Sequence, residues 1–407
     1  MSTIIEQTIF LLIVAIIVAL AAHRLRLPYT VGLVLTGIVL ALFHVSPGLR
    51  LTHEFIFDVI LPPLLFEAAI NLHWKELRRD MFPILLLANA GVIIAALFVT
   101  WGMGYFLQWP LSAALAFGVL ISATDPVAVI AMFKDTGVTG RLRLLVESES
   151  LFNDGVAAVL FAVVLAWTQA TGSAAVSPGS VLQAIAFSAG GGILAGAICA
   201  YVTMFLAGRA SDHLLETALT TVIAYGSFLL AEHLHVSGVL ATVTAGLIIG
   251  HSGIQSEDDS EHKKKPVSER GKAFILDFWE FAAFLANSII FLMMGLRVAE
   301  IPFNAITNIA LPVAILLVLI GRALSVYPLC LPLKKTRWAI PEKYQHVLWW
   351  GGLRGALALA LVLSLPETIP LHNEIVVVTF TTVAFSVLIQ GITMPLLLKF
   401  LKYGSSA

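Results

Sequence analysis

Charge is scarce in this chain: Asp, Glu, Lys and Arg together make up 12% of its 407 residues, against roughly a quarter in an ordinary soluble domain. With 59% apolar residues and a mean hydropathy of +0.94, that scarcity excludes a water-soluble globular protein. Neither sign of charge is in excess, 24 Lys and Arg standing against 25 Asp and Glu, so no basic surface is available and no nucleic-acid partner is expected. Cysteine is nearly absent. Cys199 and Cys330 lie far apart in apolar stretches, which excludes a disulfide framework and a Cys-paired zinc site and leaves both as packing residues. Long polar stretches are also lacking. The longest, 251–272, carries mixed charge, is too short for a domain and reads as a flexible cytoplasmic linker. Only Met1-Ser2-Thr3 precedes the first apolar run, with no basic leader, so the first helix is expected to be retained.

What the chain does contain is apolar sequence in runs near the roughly 20 residues that a membrane-spanning helix needs. Charged and Pro/Gly-rich punctuation divides it into about thirteen spans: 4–22, 27–43, 54–72, 82–106, 111–133, 147–169, 179–207, 214–233, 236–250, 273–297, 303–329, 344–365 and 374–401. The basic residues give these spans a direction, because cytoplasmic loops collect Lys and Arg. Twenty of the 24 fall after odd-numbered spans or in the tail, from Arg24 and Arg26 through Lys75, Lys134, Arg209 and Lys263 to Lys402, whereas the even-numbered connections hold only Arg50 and Arg297. The N-terminus is therefore expected outside and the C-terminus in the cytoplasm, in a multi-pass protein of the cell (inner) membrane. All eleven histidines sit near span ends or in loops, as interfacial anchors or, for one of them, a pH sensor.

Six charged residues interrupt the spans: Glu67, Asp125, Glu149, Asp154, Arg322 and Arg354. A charge at the bilayer centre costs at least about 2.5–3.5 kcal/mol, so each needs a partner, a water-filled cavity or a job. Mutual pairing for packing alone is the plain alternative, strongest for Glu149 and Arg322. The fifth and sixth spans form a hairpin with a cytoplasmic turn. With Asp125 about eight residues before that turn and Asp154 about seven after it, both carboxylates are expected roughly 10–12 Å deep and able to meet. Ser150, Asn153 and Asp154 make a stripe on one helix face that points at Thr124 and Asp125. Carboxylate, hydroxyl and amide oxygens without thiolate or imidazole suit a small hard cation, Na+ or Li+. Two carboxylates facing each other away from water repel, and either a proton or a cation relieves that repulsion, so the two compete for one site.

Two segments are expected to break their helices. Pro126 cannot donate the helical hydrogen bond and clashes with the preceding turn. Gly351-Gly352-Leu353-Arg354-Gly355 sets three glycines around one arginine, which favours an unwound segment over a regular helix, close helix packing being the alternative. Transporters built from inverted repeats cross two such broken helices at the ion site. Here spans one to six and eight to thirteen would be the repeats, with the seventh as linker and Arg354 supplying positive charge at the crossing.

Four strings carry a family resemblance: Ser122-Ala123-Thr124-Asp125-Pro126, Glu149-Ser150-Leu151-Phe152-Asn153-Asp154, Phe278-Trp279-Glu280 through Phe284-Leu285-Ala286-Asn287-Ser288, and Gly351-Gly352-Leu353-Arg354-Gly355-Ala356. In this order, over essentially the whole chain, they resemble the sodium/proton exchanger branch of the monovalent cation/proton antiporters, in particular its prokaryotic members. The resemblance implies that Asp154 is the carboxylate that binds either cation or proton, supported by Thr124, Asp125 and Ser150. Asn153, with Asp125, would stabilise the crossed helices, and Glu149 would pair with Arg322. Glu67, within Leu61-Pro62-Pro63-Leu64-Leu65-Phe66-Glu67, resembles an acidic position lining the cytoplasmic approach.

The same resemblance implies an all-α polytopic protein in which core segments 82–169 and 303–401 move against scaffold segments 1–72 and 179–297, the scaffold forming a homodimer in the lipid bilayer. Electrogenic relatives carry two adjacent aspartates where this chain has Asn153-Asp154, so electroneutral exchange of one Na+ (or Li+) for one H+ is expected. It would use no cofactor and catalyse no covalent step. The alternatives are a K+/H+ antiporter, a sodium-coupled symporter on a related fold, and a cation channel in which the same carboxylates line a continuous pore.

Overall fold

A computed structural model of the protein describes residues 2–25, 27–44, 51–169, 178–209, 212–255, 267–300 and 309–403. Arg26, Arg50 and Lys263 to Lys265, used above for orientation, lie outside the described residues, as do His262 and half of the 251–272 linker. Among the described residues the secondary structure is wholly helical. In chain order the helices are α1 (Ser2–Leu25), α2 (Tyr29–Leu42), α3 (Leu61–Asn71), α4 (Trp74–Leu86), α5 (Val92–Leu107), α6 (Leu111–Leu120) and α7 (Val127–Thr136). They continue with α8 (Arg141–Gln169), α9 (Pro178–Ala207), α10 (His213–His233), α11 (Gly238–Ile249), α12 (Glu269–Glu300), α13 (Ala310–Cys330), α14 (Glu342–Trp350), α15 (Ala356–Leu363), α16 (His372–Phe385) and α17 (Gly391–Phe400). Single π-helical turns precede α3 (Phe55–Ile60), join α4 to α5 (Leu87–Gly91), follow α11 (Gly250–Ile254) and join α16 to α17 (Ser386–Gln390).

Among the described residues seven helical runs are long and apolar enough to cross a membrane: Trp74–Leu107, Arg141–Thr168, Gly179–Ala207, His213–His233, Arg270–Ala299, Ala310–Lys335 and His372–Phe400. Ile9–Ala22, Tyr29–Leu42, Leu111–Leu120 and Gly238–Ile254 are shorter apolar helices. Large apolar side chains face outward along them, among them Trp101, Tyr105, Phe187, Leu194, Tyr201 and Phe205, as the surface of a membrane protein requires. Between helices lipid supplies no hydrophobic driving force, so close backbone approach has to hold them together. Gly37 of α2 and Gly295 of α12 show this: a Cβ on either would lie 2.2 Å from a carbonyl oxygen of the other helix.

Two boundaries differ most from the sequence reading. The run expected to start at residue 82 starts at Trp74, and the sixth starts at Arg141 rather than 147. Charged residues mark loops only while they are unpaired. Here Arg141 donates to both carboxylate oxygens of Asp80 on α4, at 2.7–3.1 Å, and to the carbonyl of Ala339, while Arg143 pairs with Glu147 one turn on. These charges therefore stay helical. Asp154 consequently stands thirteen residues into α8, about 20 Å along it rather than 10–12 Å.

Candidate ion-binding site

Both expected breaks occur, and they cross. The fifth span stops at Leu120 and resumes at Val127; the twelfth stops at Trp350 and resumes at Ala356. Between them the Asp125 N–H donates to the carbonyl of Leu353 at 2.8 Å, tying one unwound segment to the other. Unwinding leaves four helix ends inside the protein, each with orphan backbone groups and half of a dipole. Every end receives a side chain of the fitting sign. The Asp125 carboxylate accepts the N–H of Val127 at 2.9 Å and of Ala356 at 3.4 Å, the first turns of α7 and α15. The Arg354 guanidinium donates through Nη1 to the carbonyls of Ser122 and Ala123 just past α6, at 2.8 and 2.9 Å. Arg322 does the same for α14, donating to the Leu348 carbonyl through Nε and Nη2 while binding Glu149 with two arms at 2.5 and 2.6 Å.

Glycine at 355 is required by this arrangement. A Cβ there would fall 1.8 Å from the Asp125 carboxylate, and one at Gly352 would fall 2.6 Å from Arg322 Nε. Behind the second break, the π-turn between α16 and α17 presents two supports that the sequence did not reveal. Ser386 Oγ accepts the Arg354 N–H at 3.0 Å, and Gln390 Nε2 donates to the Trp350 carbonyl at 2.9 Å.

The α8 stripe meets the first break. Asn153 is fully buried; its Oδ1 accepts the Thr124 N–H at 3.1 Å and its Nδ2 donates to Thr124 Oγ1 at 2.6 Å. Thr124 Oγ1 and Ser150 Oγ lie 3.0 Å apart in a further hydrogen bond. Asp154 differs from all of these, taking no hydrogen bond or ion pair among the described residues. It lines, with Asp125 and Thr124, a cavity of about 260 Å³ that runs between α3, α7, α8, α12 and α15.

That cavity leads to Lys134 of α7 and Glu280 of α12, paired at 2.8 Å with side chains 54% and 64% exposed, which marks its mouth. Glu67 lies on its wall and accepts an Asn71 Nδ2–H at 2.9 Å. Glu147, Asn71, Lys134, Glu280 and Asn287 were missed as lining residues. Their spacing held the signal: Glu147 and Asp154 are seven apart on α8, as are Glu280 and Asn287 on α12, and a seven-residue step keeps one helix face. The nine residues singled out from the sequence fall into two groups: Asp154, Asp125, Thr124 and Glu67 on the cavity, and Ser150, Asn153, Glu149, Arg322 and Arg354 in the packing behind it. Cys199 and Cys330 are both free thiols.

Known proteins resemble the chain in sequence and in fold. Residues 9–400 match the family described as sodium/hydrogen exchanger, transmembrane. The Na(+)/H(+) antiporter ApNhaP of Aphanothece halophytica is 37% identical over 394 residues, covering 96% of this chain and 73% of that protein. The Na(+)/H(+) antiporter NhaH of Halobacillus aidingensis is 34% identical over 408 residues, covering 97% of this chain and 96% of that one. The sodium proton antiporter MjNhaP1 from Methanocaldococcus jannaschii, solved at pH 8, superposes with a TM-score of 0.76 at 19% identity, over 99% of this chain and 100% of that one, a likeness of fold. A family match over nearly the whole length, and antiporters above 30% identity along it, place this chain in the transmembrane sodium/hydrogen exchanger family.

Proposed function

We propose that the protein is a secondary active antiporter that exchanges Na+ (or Li+) for H+ across the cell membrane, with Asp154 as the shared site. The observation that carries this reading is the Asp154 carboxylate, unpaired on a cavity that also reaches the exposed Lys134–Glu280 pair, and lining it together with a second carboxylate, Asp125, already committed to two helix N-termini. Asp154 with a proton, or Asp154 with Na+, adds no net charge to the crossing segments. The bare carboxylate adds one, and moving it through low dielectric is costly. Only the two loaded forms cross. A proton leaving Asp154 is replaced by Na+ from the same side, and after the crossing the reverse exchange occurs at the other face. Since Asn153 stands where a second titratable group would be needed, one H+ moves per Na+ and exchange is electroneutral.

In this reading the core (82–169 and 303–401) carries the site and moves against the scaffold (1–72 and 179–297), through which two copies associate. With the thirteen transits and the Lys/Arg bias expected from the sequence, the N-terminus is outside and the C-terminus in the cytoplasm in this reading, so the mouth at Lys134 and Glu280 faces the cytoplasm. The reading is supported by the relatives named as Na(+)/H(+) antiporters. The test uses purified full-length protein in liposomes with an acid interior: external Na+, Li+ or K+ is added and internal pH followed, with and without a clamped membrane potential. Alkalinisation by Na+ that ignores the clamp is expected, and Asp154→Asn should abolish it while leaving the protein folded. Cation flux driven by voltage without proton movement, or exchange retained in Asp154→Asn, overturns the reading.

A further inference from the structure

The Phe278-to-Ser288 string belongs to α12, which none of the contacts described for the crossed helices uses. Glu280, Ala283, Phe284 and Asn287 follow the i, i+3, i+4, i+7 rule and together line the cavity. Glu280 is at the mouth and Asn287 lies seven residues further in, about 10 Å along the helix. Asn287 is only 8% exposed, and its amide oxygen is buried without a hydrogen-bond partner. Its amide nitrogen takes none either among the described residues. The other buried side-chain atoms in this condition are hydroxyls and the Arg354 Nε; Asn287 contributes the amide oxygen among them. A buried carbonyl-type oxygen left unpaired is disfavoured unless something outside the chain pairs with it.

The neighbouring turn is built to hold that side chain still. Ser288, next in the chain and 2% exposed, donates to the Phe284 carbonyl and is hydrogen-bonded to the Tyr29 hydroxyl, while the Tyr29 and Phe284 rings stack at 5.2 Å. About two helical turns beyond, Gly295 locks α12 onto α2. Across the same cavity stands Asp154, the other lining group without a protein partner. An amide oxygen and a carboxylate oxygen are the ligand types of a hard monovalent cation, and an amide cannot take over the proton.

Resting on the antiporter reading above, we propose that Asn287 is a cation-binding, specificity-determining residue that contributes its amide oxygen from the scaffold to the Na+ held by Asp154 when the site faces the Lys134–Glu280 mouth. Because Asn287 is on α12 and Asp154 on α8, the ligand stays behind when the core moves. Na+ affinity at this face then depends on residue 287, and proton binding does not.

The test is antiport in membrane vesicles whose cytoplasmic face is outward, with the Na+ concentration varied. Asn287→Ala is expected to raise the KM for Na+ about tenfold, the worth of one lost ligand contact, with the maximal rate and the pH profile at saturating Na+ preserved. The purified variant should also need more Na+, but not more choline, for the same rise in Tm. If Asn287→Ala does not fold, Asn287→Gln decides, since it keeps the amide and moves the oxygen outward by one methylene. It is expected to change the ratio of KM for Na+ to KM for Li+, and an unchanged ratio overturns the proposal. So does an unchanged KM in folded Asn287→Ala, or a loss confined to maximal rate. A wild-type protein that moves no protons on Na+ addition instead sinks the antiporter reading itself.

Discussion

The Asp125 carboxylate accepts hydrogen bonds from the first turns of two different helices, through Val127 of α7 and Ala356 of α15. It thus joins the two halves of the crossing from the positive ends of their dipoles, as Arg354 and Arg322 do from the negative ends. In the proposed exchange, a carboxylate fixed in this way beside a free one, Asp154, would let a single group carry both ions.

Gly355→Ala tests that arrangement directly. The new methyl group would need to sit 1.8 Å from the Asp125 carboxylate, so the carboxylate must leave one or both N–H groups. We expect exchange to fall by at least about tenfold, the factor that 1.4 kcal/mol of lost stabilisation represents. Initial rates of Na+-driven alkalinisation in liposomes, beside thermal unfolding of the same preparation, give the check; a variant with wild-type rates would show that Asp125 need not hold both helix ends.

Breaking the Glu149–Arg322 pair should cost stability more than chemistry. Both side chains are buried, at 1% and 6% exposure, and removing one leaves the other as an uncompensated charge worth about 3–5 kcal/mol of destabilisation. Glu149→Gln and Arg322→Ala should each unfold at markedly lower temperature. The double variant Glu149→Leu with Arg322→Met should recover part of that loss, since no unpaired charge remains. A double variant as unstable as the worse single one would mean that the Arg322 contact with Leu348 is the larger contribution.

Much of this was legible in the sequence because charge and proline are rare in an apolar chain. Asp125-Pro126 and Gly351 to Gly355 announced both breaks, and the spacing of Ser150, Asn153 and Asp154 gave the stripe that meets Thr124. What stayed hidden depends on three-dimensional partners. Arg141 looked like a loop residue until Asp80 paired it, which put the start of α8 six residues early. Glu280 and Asn287 stood in one of the four family strings but drew no role of their own, because only the packing of α12 against α3 turns that face to the cavity. Ser386 and Gln390 belong to a π-turn, whose register no helical periodicity encodes.

The exposed pair at the mouth should behave differently from the buried one. Lys134 and Glu280 are each more than half exposed, so Glu280→Gln should change stability by less than about 1 kcal/mol. Its effect should appear in rate and fade with salt, because screening weakens an exposed pair. Antiport measured with choline chloride raised at constant Na+ should bring wild type and Glu280→Gln together.

Asn153→Asp is the most informative single change at the stripe. The buried amide both accepts the Thr124 N–H and donates to Thr124 Oγ1; a carboxylate keeps the first bond but, when ionised, has no proton to donate, so the Thr124 hydroxyl must turn its own hydrogen to it and away from Ser150. It also adds a third carboxylate beside Asp125 and Asp154. Loss of one buried donor is worth about 1–3 kcal/mol, so a lower Tm is expected. Adding an acid at 153 does not by itself supply a second proton path, because the residue is buried away from the cavity that Asp154 lines. Exchange in this variant is therefore expected to be slower and still indifferent to a clamped potential. A variant that responds to the clamp would show instead that position 153 reaches the transport pathway and that proton stoichiometry is set there alone.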